Sequence, residues 1–345
     1  MELFPKYRGF LIALIPASIG GWIWSMLGLP LGWLMGSAIV TGLISFQNIS
    51  VTLPKSLYWP ALSMIGAGVG LAITPEVASQ ILRWFPFMAT MAFAGVLLAV
   101  LFTPYVARQG GMSPATAYFA LMPGGVIEMA NIGTAYGADR TIIPALHAIR
   151  VALVVGILPL GLYLSYPTTG VLITYEWLTL KQLIMVIPVA LLGGWIGKLI
   201  NMPASWLLGS LLAVGIGTML GLWAGEIPRP LMAVAQIIVG MSLGAKFLRE
   251  RLAQIPRAIA AGTPVLTLII VIMAGTAIFA ASFLPFDVPS MVLAFSIGGL
   301  AEMVLTANAL GRDMALVAAF QAIRAILVNS CAGFIWSRLA SKFNT

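Results

Sequence analysis

Two glutamates stand inside otherwise uncharged apolar segments, Glu128 and Glu302, and each follows a pair of glycines, Gly124-Gly125 and Gly298-Gly299. A carboxylate in hydrocarbon costs roughly 2.5 to 3.5 kcal/mol on insertion scales, so it persists where it faces a cavity, a partner or a substrate. The glycines add backbone chemistry. Pro123-Gly124-Gly125 cannot propagate a regular helix, which frees main-chain amides to line a polar cavity, and the helix predicted to restart near Val126 points its positive end there. Asn131, at i+3 from Glu128, and Thr306, at i+4 from Glu302, share the glutamate's helix face. The competing use is local: the glycine pair permits close helix packing and the glutamate caps its own first turn. Occurrence in two copies favours a site.

Arg150 and Arg324 form a second constellation, each early in an apolar span with His147 or Gln321 at i−3 on the same face. Arg150 could pair with Glu128 and Arg324 with Glu302, holding a fixed guanidinium for a carboxylate or other anion. A helix-end arginine snorkelling to the interface is the alternative. His147 suits a proton carrier by its intrinsic pKa, yet Gln321 occupies the equivalent place, which fits polar packing as well. Asp139 and Asp313, beside Gly137 and Gly311, read as helix N-caps. The expected substrate- or proton-binding set is therefore Gly124, Gly125, Glu128, Asn131, His147, Arg150, Gly298, Gly299, Glu302, Thr306 and Arg324. One histidine and one cysteine, Cys331, provide no ligand set for copper or zinc, so no metal, cofactor or catalytic residue is expected. No Gly-x-x-x-x-Gly-Lys loop is present for ATP.

The elements that must position these residues are set by composition. Of 345 residues 61% are hydrophobic and 8% charged, far from soluble proteins, which run near a quarter charged. At about 20 residues per helical span the chain has room for roughly ten to twelve crossings and no separate soluble domain. That excludes a soluble enzyme. The 18 Lys and Arg against 10 Asp and Glu are scattered singly, without the basic stripe that nucleic acid requires. The N-terminus, MELFPKYRG, runs straight into an apolar stretch and reads as the first span rather than a removed signal peptide, with Lys6 and Arg8 placing it in the cytoplasm.

Apolar stretches fall at 9–28, 31–47, 57–74, 84–106, 113–136 and 141–165, and again at 183–200, 204–223, 231–247, 258–284, 289–310 and 314–337. Letters recur with them. Gly20-Gly21-Trp22 returns as Gly193-Gly194-Trp195, and Pro30-Leu31-Gly32-Trp33-Leu34-Met35-Gly36-Ser37 as Pro203-Ala204-Ser205-Trp206-Leu207-Leu208-Gly209-Ser210. Gly66, Gly70 and Glu76 match Gly240, Gly244 and Glu250, and Ala148-Ile149-Arg150 matches Ala322-Ile323-Arg324. The chain therefore reads as a tandem duplication: repeat 1 over 1–165, a linker over 166–182 and repeat 2 over 183–345. The small-residue pairs Gly32/Gly36, Ser205/Gly209, Gly66/Gly70 and Gly240/Gly244 read as close helix packing, and Trp22, Trp33, Trp195 and Trp206 as interfacial anchors rather than a cation cage.

An odd number of crossings per repeat inverts the second copy. If the Gly-Gly-x-x-Glu-Met segment does not cross fully, the cytoplasmic side receives Lys6, Arg8, Lys55, Arg108, Arg140, Lys198, Lys246, Arg249, Arg251, Arg257, Arg338 and Lys342, leaving Arg83, Lys181, Arg229 and Arg312 outside. If all six cross, the densest cluster falls outside. The expected fold class is thus an all-α polytopic membrane protein of two inverted repeats, about ten crossings plus two broken or re-entrant Gly-Gly segments.

The paired Gly-Gly-x-x-Glu-Met and Pro-x-x-Trp-Leu-x-Gly-Ser elements and the duplication together resemble the bacterial AbrB duplication family of inner-membrane proteins, from about Gly9 to Ser337. Members of that family have been labelled ammonia monooxygenases, one is described as a regulator of aidB expression, and they are otherwise treated as transporters; the family is distinct from the soluble DNA-binding regulator that shares the name. The resemblance implies an inner-membrane location and brings no agreed substrate or catalytic residues. An oxygenase is at odds with one histidine and one cysteine, and no loop is long or basic enough for a DNA-binding module. The expected function is a secondary transporter of a small organic solute, with proton coupling an option and its site between inverted repeats; the alternative is a membrane sensor or regulator acting through a partner protein. Expected partners are the lipid bilayer and a small-molecule or ion substrate, with a homo-oligomer left open and nucleic acid excluded.

Overall fold

The computed structural model describes residues 3–166 and 176–343, and it is helical. The first half holds α1 (Leu3–Met26), α2 (Gly32–Phe46), α3 (Lys55–Gly70), α4 (Pro75–Gly110), α5 (Pro114–Leu121), α6 (Val126–Ala135) and α7 (Ile142–Ser165). The second holds α8 (Leu180–Leu199), α9 (Ser205–Met219), α10 (Arg229–Gly244), α11 (Arg249–Ala253), α12 (Pro256–Ala281), α13 (Val288–Phe295), α14 (Leu300–Ala309) and α15 (Met314–Phe343). Helices of equal length stand at the spacing of the sequence match: 15 residues in α2 and α9, 16 in α3 and α10, 8 in α5 and α13, 10 in α6 and α14.

The stops and starts follow local chemistry. Gly137 after α6 and Gly311 after α14 both take positive φ, 75° and 61°, the left-handed turn that ends a helix without cost only at glycine. Asp139 then accepts from the amides of Thr141 (2.6 Å) and Ile142 (3.2 Å), capping α7 as its position suggested. Ser113 accepts from Thr116 at the head of α5, and Asp287 from Ser290 at the head of α13.

Among the described residues six helices are long and apolar enough to cross a membrane: Tyr7–Met26, Pro75–Gly110, Ile142–Ser165, Leu180–Leu199, Pro256–Ala281 and Met314–Ser341. Leu97 and Leu101 on α4, Ile184 and Leu192 on α8, and Val271 and Phe279 on α12 are exposed, an apolar surface that water would not tolerate and a bilayer covers. This is the architecture of a membrane protein. At 1.5 Å per residue, α2, α3, α9 and α10 reach only about 22 to 24 Å, short of the ~30 Å hydrocarbon core.

The chain forms two compact units, each drawing on both halves of the sequence: Met1–Gln80 with Pro159–Arg249 and Val304–Ala315, and Ile81–Leu158 with Glu250–Met303 and Leu316–Thr345. The linker expected at 166–182 lies outside the described residues over 167–175; beyond it Thr179 and Gln182 form a reciprocal cap that starts α8.

In the first unit the small residues are packing surfaces. A side-chain carbon on Gly36 would run into the Gly20 carbonyl of α1, and one on Gly209 into the Gly193 carbonyl of α8, so α1 lies on α2 and α8 on α9 at backbone distance. The third helix of each half crosses over. Gly66 and Gly70 of α3 meet the Leu207 and Leu211 carbonyls of α9, while Gly240 and Gly244 of α10 meet the Leu34 and Ala38 carbonyls of α2. The second unit shows the same exchange: Phe87 of α4 packs on Phe295 of α13 (5.8 Å between ring centroids) and Phe320 of α15 (6.1 Å), and Tyr118 of α5 donates to the Ala332 carbonyl of α15 at 2.9 Å.

Candidate functional site

The two Gly-Gly elements are helix breaks, and both lie in the second unit. In the first, α5 ends at Leu121. Pro123 lacks an amide and pushes the preceding residue out of the helical region, and Met122 is extended (φ −56°, ψ 133°). The chain stays extended at Gly125 (φ −69°, ψ 142°) and restarts as α6 at Val126, the residue expected from sequence. The second break has no proline, yet Ser296 takes the same conformation (φ −58°, ψ 143°) after α13.

A broken helix leaves main-chain carbonyls that must be satisfied where water is scarce. The arginines do this. Arg150, 2% exposed, donates from one terminal nitrogen to the Met122 carbonyl (2.6 Å) and from the other to the Gly124 carbonyl (3.1 Å). Arg324 repeats the fork on the Ser296 carbonyl and the Gly298 carbonyl, the latter at 2.8 Å. The planar, two-pronged guanidinium suits a pair of carbonyls two residues apart, as a lysine would not. These contacts correct two expectations. Both guanidiniums are committed to the open carbonyls of the breaks rather than to a glutamate, and Arg150 is buried there rather than snorkelling.

His147 and Gln321, one turn before each arginine, serve the preceding turn. His147 donates from Nε2 to the Phe119 carbonyl at 2.9 Å. Gln321 uses its amide nitrogen for the carbonyls of Leu293 (2.8 Å), Ala294 (3.3 Å) and Ser296 (3.0 Å). Both side chains are fully buried, and their shared place is explained by shared polar packing against the end of a half-helix.

Glu128 and Glu302 sit at the third position of α6 and α14, and each folds its carboxylate back over the second glycine: a side-chain carbon on Gly125 or Gly299 would collide with it. A carboxylate there is stabilised by the positive helix end. The amide of Gly125 is not the partner, because it donates to Oδ1 of Asn329 on α15 at 3.1 Å. Glu128 is half-buried and has no hydrogen-bond or ion-pair partner among the described residues. Asn131 lies exposed on the same helix, and Thr306 is buried on α14.

Asn329 is the residue that sequence comparison of the two halves misses. Val155 stands at its equivalent position, so no repeat marks it; the available signal was an asparagine inside an apolar span, two turns beyond Gln321. Its Oδ1 lies where a side-chain carbon on Gly124 would come within 2.7 Å, so Gly124 admits this helix, while Gly298 is approached by Val154 of α7 at the same 2.7 Å. Each break is thus bonded by the arginine of its own half and met by the long helix of the other. Among the described residues no three His, Cys, Asp or Glu side chains come together as a metal site.

Comparison with known proteins fits these features. A family model described as "Transition state regulatory protein AbrB" matches residues 33–340. The Bacillus subtilis (strain 168) protein named "Uncharacterized protein YhjN" is 26% identical over 343 residues, covering 90% of this chain and 88% of its own. The Escherichia coli (strain K12) protein named "Putative regulator AbrB" is 25% identical over 300 residues, covering 86% of each. With the family model spanning both helix breaks, both arginines and both glutamates, the chain belongs to the AbrB family of helical membrane proteins.

Proposed function

We propose that the protein is a secondary transporter of a small organic solute in the bacterial inner membrane, multi-pass with a cytoplasmic N-terminus, and not an enzyme. The observation that carries this is the pair of broken helices in one compact unit, each with an arginine on its carbonyl end, buried in the first and partly buried in the second, and a glutamate on its amide end. Non-helical backbone at membrane depth is tolerated where it lines a protein-enclosed cavity, and paired half-helices contributed by two halves of a chain are how transporters of this kind build a central site. In this reading each half crosses five times, the second is inverted, and Glu128 and Glu302 contact substrate or carry a coupling proton. Two guanidiniums hold fixed positive charge beside them. The partners are lipid and solute, with no role for nucleic acid.

The test uses full-length protein in proteoliposomes on a solid-supported membrane, challenged with a panel of small carboxylates and amines under an imposed proton gradient. Wild type should give transient currents with at least one of them, and Glu128→Gln and Glu302→Gln should abolish those currents with yield and monodispersity unchanged. Undiminished currents in both variants would sink the assignment. A single cysteine at Ala253, or at Thr169, which lies outside the described residues, with Cys331 replaced, reports sidedness: Ala253 inside and Thr169 outside requires an odd number of crossings. A second reading, a membrane sensor working through a cytoplasmic partner, is favoured by the regulator in a relative's name and by the basic stretch of Lys246, Arg249 and Arg257. It predicts no current with any solute and a signalling phenotype that survives both glutamate substitutions.

A further inference from the structure

An open groove of about 550 Å3 runs along the first unit between α3 and α8, with Trp206 of α9 at its base. Its two ends differ chemically. At one end the indoles of Trp59 and Trp206 stack, centroids 5.0 Å apart and planes 10° from parallel. Two ammonium groups converge on the same ring: Lys198 Nζ is 4.3 Å from the Trp59 centroid and Lys55 Nζ 5.7 Å. Both lysines are exposed, and neither is paired with a carboxylate among the described residues. Away from the lysines the wall turns apolar, through Leu192 and Leu191 to Pro188.

The dimensions say what fits. Lys198 is in the last turn of α8, and ten residues separate it from Pro188, about 15 Å of helix. That is half of the ~30 Å hydrocarbon core, one leaflet. Stacked tryptophans beside lysines at helix ends are the chemistry of the membrane interface, and the apolar stretch then follows an acyl chain inward. A free anion has no use for the apolar wall, and a headgroup bearing its own ammonium would set a third cation beside two lysines.

We propose that this groove is a binding site for an anionic phospholipid, its phosphate between Lys55 and Lys198 and one acyl chain along α8. The site is independent of the transport reading and stands or falls separately. Native mass spectrometry of the full-length protein, titrated with phosphatidylglycerol or phosphatidylethanolamine of matched acyl chains, tests it. Phosphatidylglycerol should be retained in preference. Each lysine near such a headgroup contributes about five-fold, so the Lys55→Ala/Lys198→Ala double variant should bind roughly 25-fold more weakly. The Lys55→Arg/Lys198→Arg variant should stay within a few-fold of wild type. Equal retention of the two lipids by wild type, an unchanged affinity in the double alanine variant, or full displacement by inorganic phosphate would each overturn the proposal. As a readout that needs no charge variant, phosphatidylglycerol brominated on its acyl chains should quench tryptophan emission less in Trp59→Phe than in wild type; equal quenching counts against the site.

Discussion

Replacing Arg150 and Arg324 in turn by methionine should separate two side chains that sequence makes equivalent. Methionine keeps the length and removes both charge and donors. Arg150→Met leaves the Met122 and Gly124 carbonyls with no donor among the described contacts. Two hydrogen bonds from a charged donor are worth about 1.5 to 3 kcal/mol each, so roughly 3 to 6 kcal/mol is lost. Against this, removing a guanidinium from the apolar interior returns about 2.5 to 3.5 kcal/mol. Arg324→Met differs at one atom. The Ser296 carbonyl keeps a second donor, Gln321 at 3.0 Å, and only the Gly298 carbonyl is orphaned. Arg324 is the less buried, so its removal returns less, which narrows the difference without reversing it. Arg150→Met should therefore be the less stable variant by up to one charge-assisted hydrogen bond, on the order of 1 to 3 kcal/mol. Tryptophan-detected thermal unfolding in one detergent, with a denaturant titration for ΔΔG, reads this directly. Equal losses, or the reverse order, would refute the role assigned to the fork.

Two further outcomes follow from packing and from charge. Gly240→Ala places a carbon against the Leu34 carbonyl, a backbone atom that cannot turn aside, and should cost about 1 to 3 kcal/mol of stability, whereas Gly275→Ala, which meets nothing within 4 Å in the middle of α12, should gain about 0.5 to 1 kcal/mol; the sign of each Tm shift checks the pair. Glu226, in the loop before α10, has its carboxyl pushed above the usual range by burial, partly countered by Arg229. A carboxyl that ionises later when folded makes stability fall as pH rises from the ordinary glutamate value toward the raised one and level off above, so Tm against pH should show that decline in wild type and lose it in Glu226→Gln.

What could be read in advance was whatever repeats or is local. The breaks were legible because Gly-Gly-x-x-Glu-Met occurs twice and because proline and glycine cannot carry a helix through, and the restart at Val126 and the Asp139 cap are local chemistry. The arginines' partners were not legible, since Arg150 and Met122 are 28 residues apart and the pattern Ala-Ile-Arg says only that a cation is kept, not what it satisfies. A buried acid nearby made an ion pair the natural guess, and the open carbonyls outcompeted it. Likewise Gly66/Gly70 and Gly240/Gly244 announced flat helix faces without saying which helix fills them, and the exchange of α3 onto α9 and α10 onto α2 depends on pairings that no single helix encodes.

The two breaks share a backbone design and differ in the side chains that tie them. Gln321 fastens the second to α15 through three carbonyls, and Gly298 is closed off by Val154. In the corresponding place the first has the His147 bond to the Phe119 carbonyl, and Asn329 occupies the Gly125 amide that an N-terminal glutamate would otherwise take. Glu302 has an interaction of its own, whereas Glu128 has none among the described residues. A carboxylate bonded to nothing can accept a cationic ligand group without first breaking a contact, whereas one already engaged must give up its contact first. Under the transport reading, the first break is therefore the freer of the two to respond, and Glu128 the glutamate that engages first.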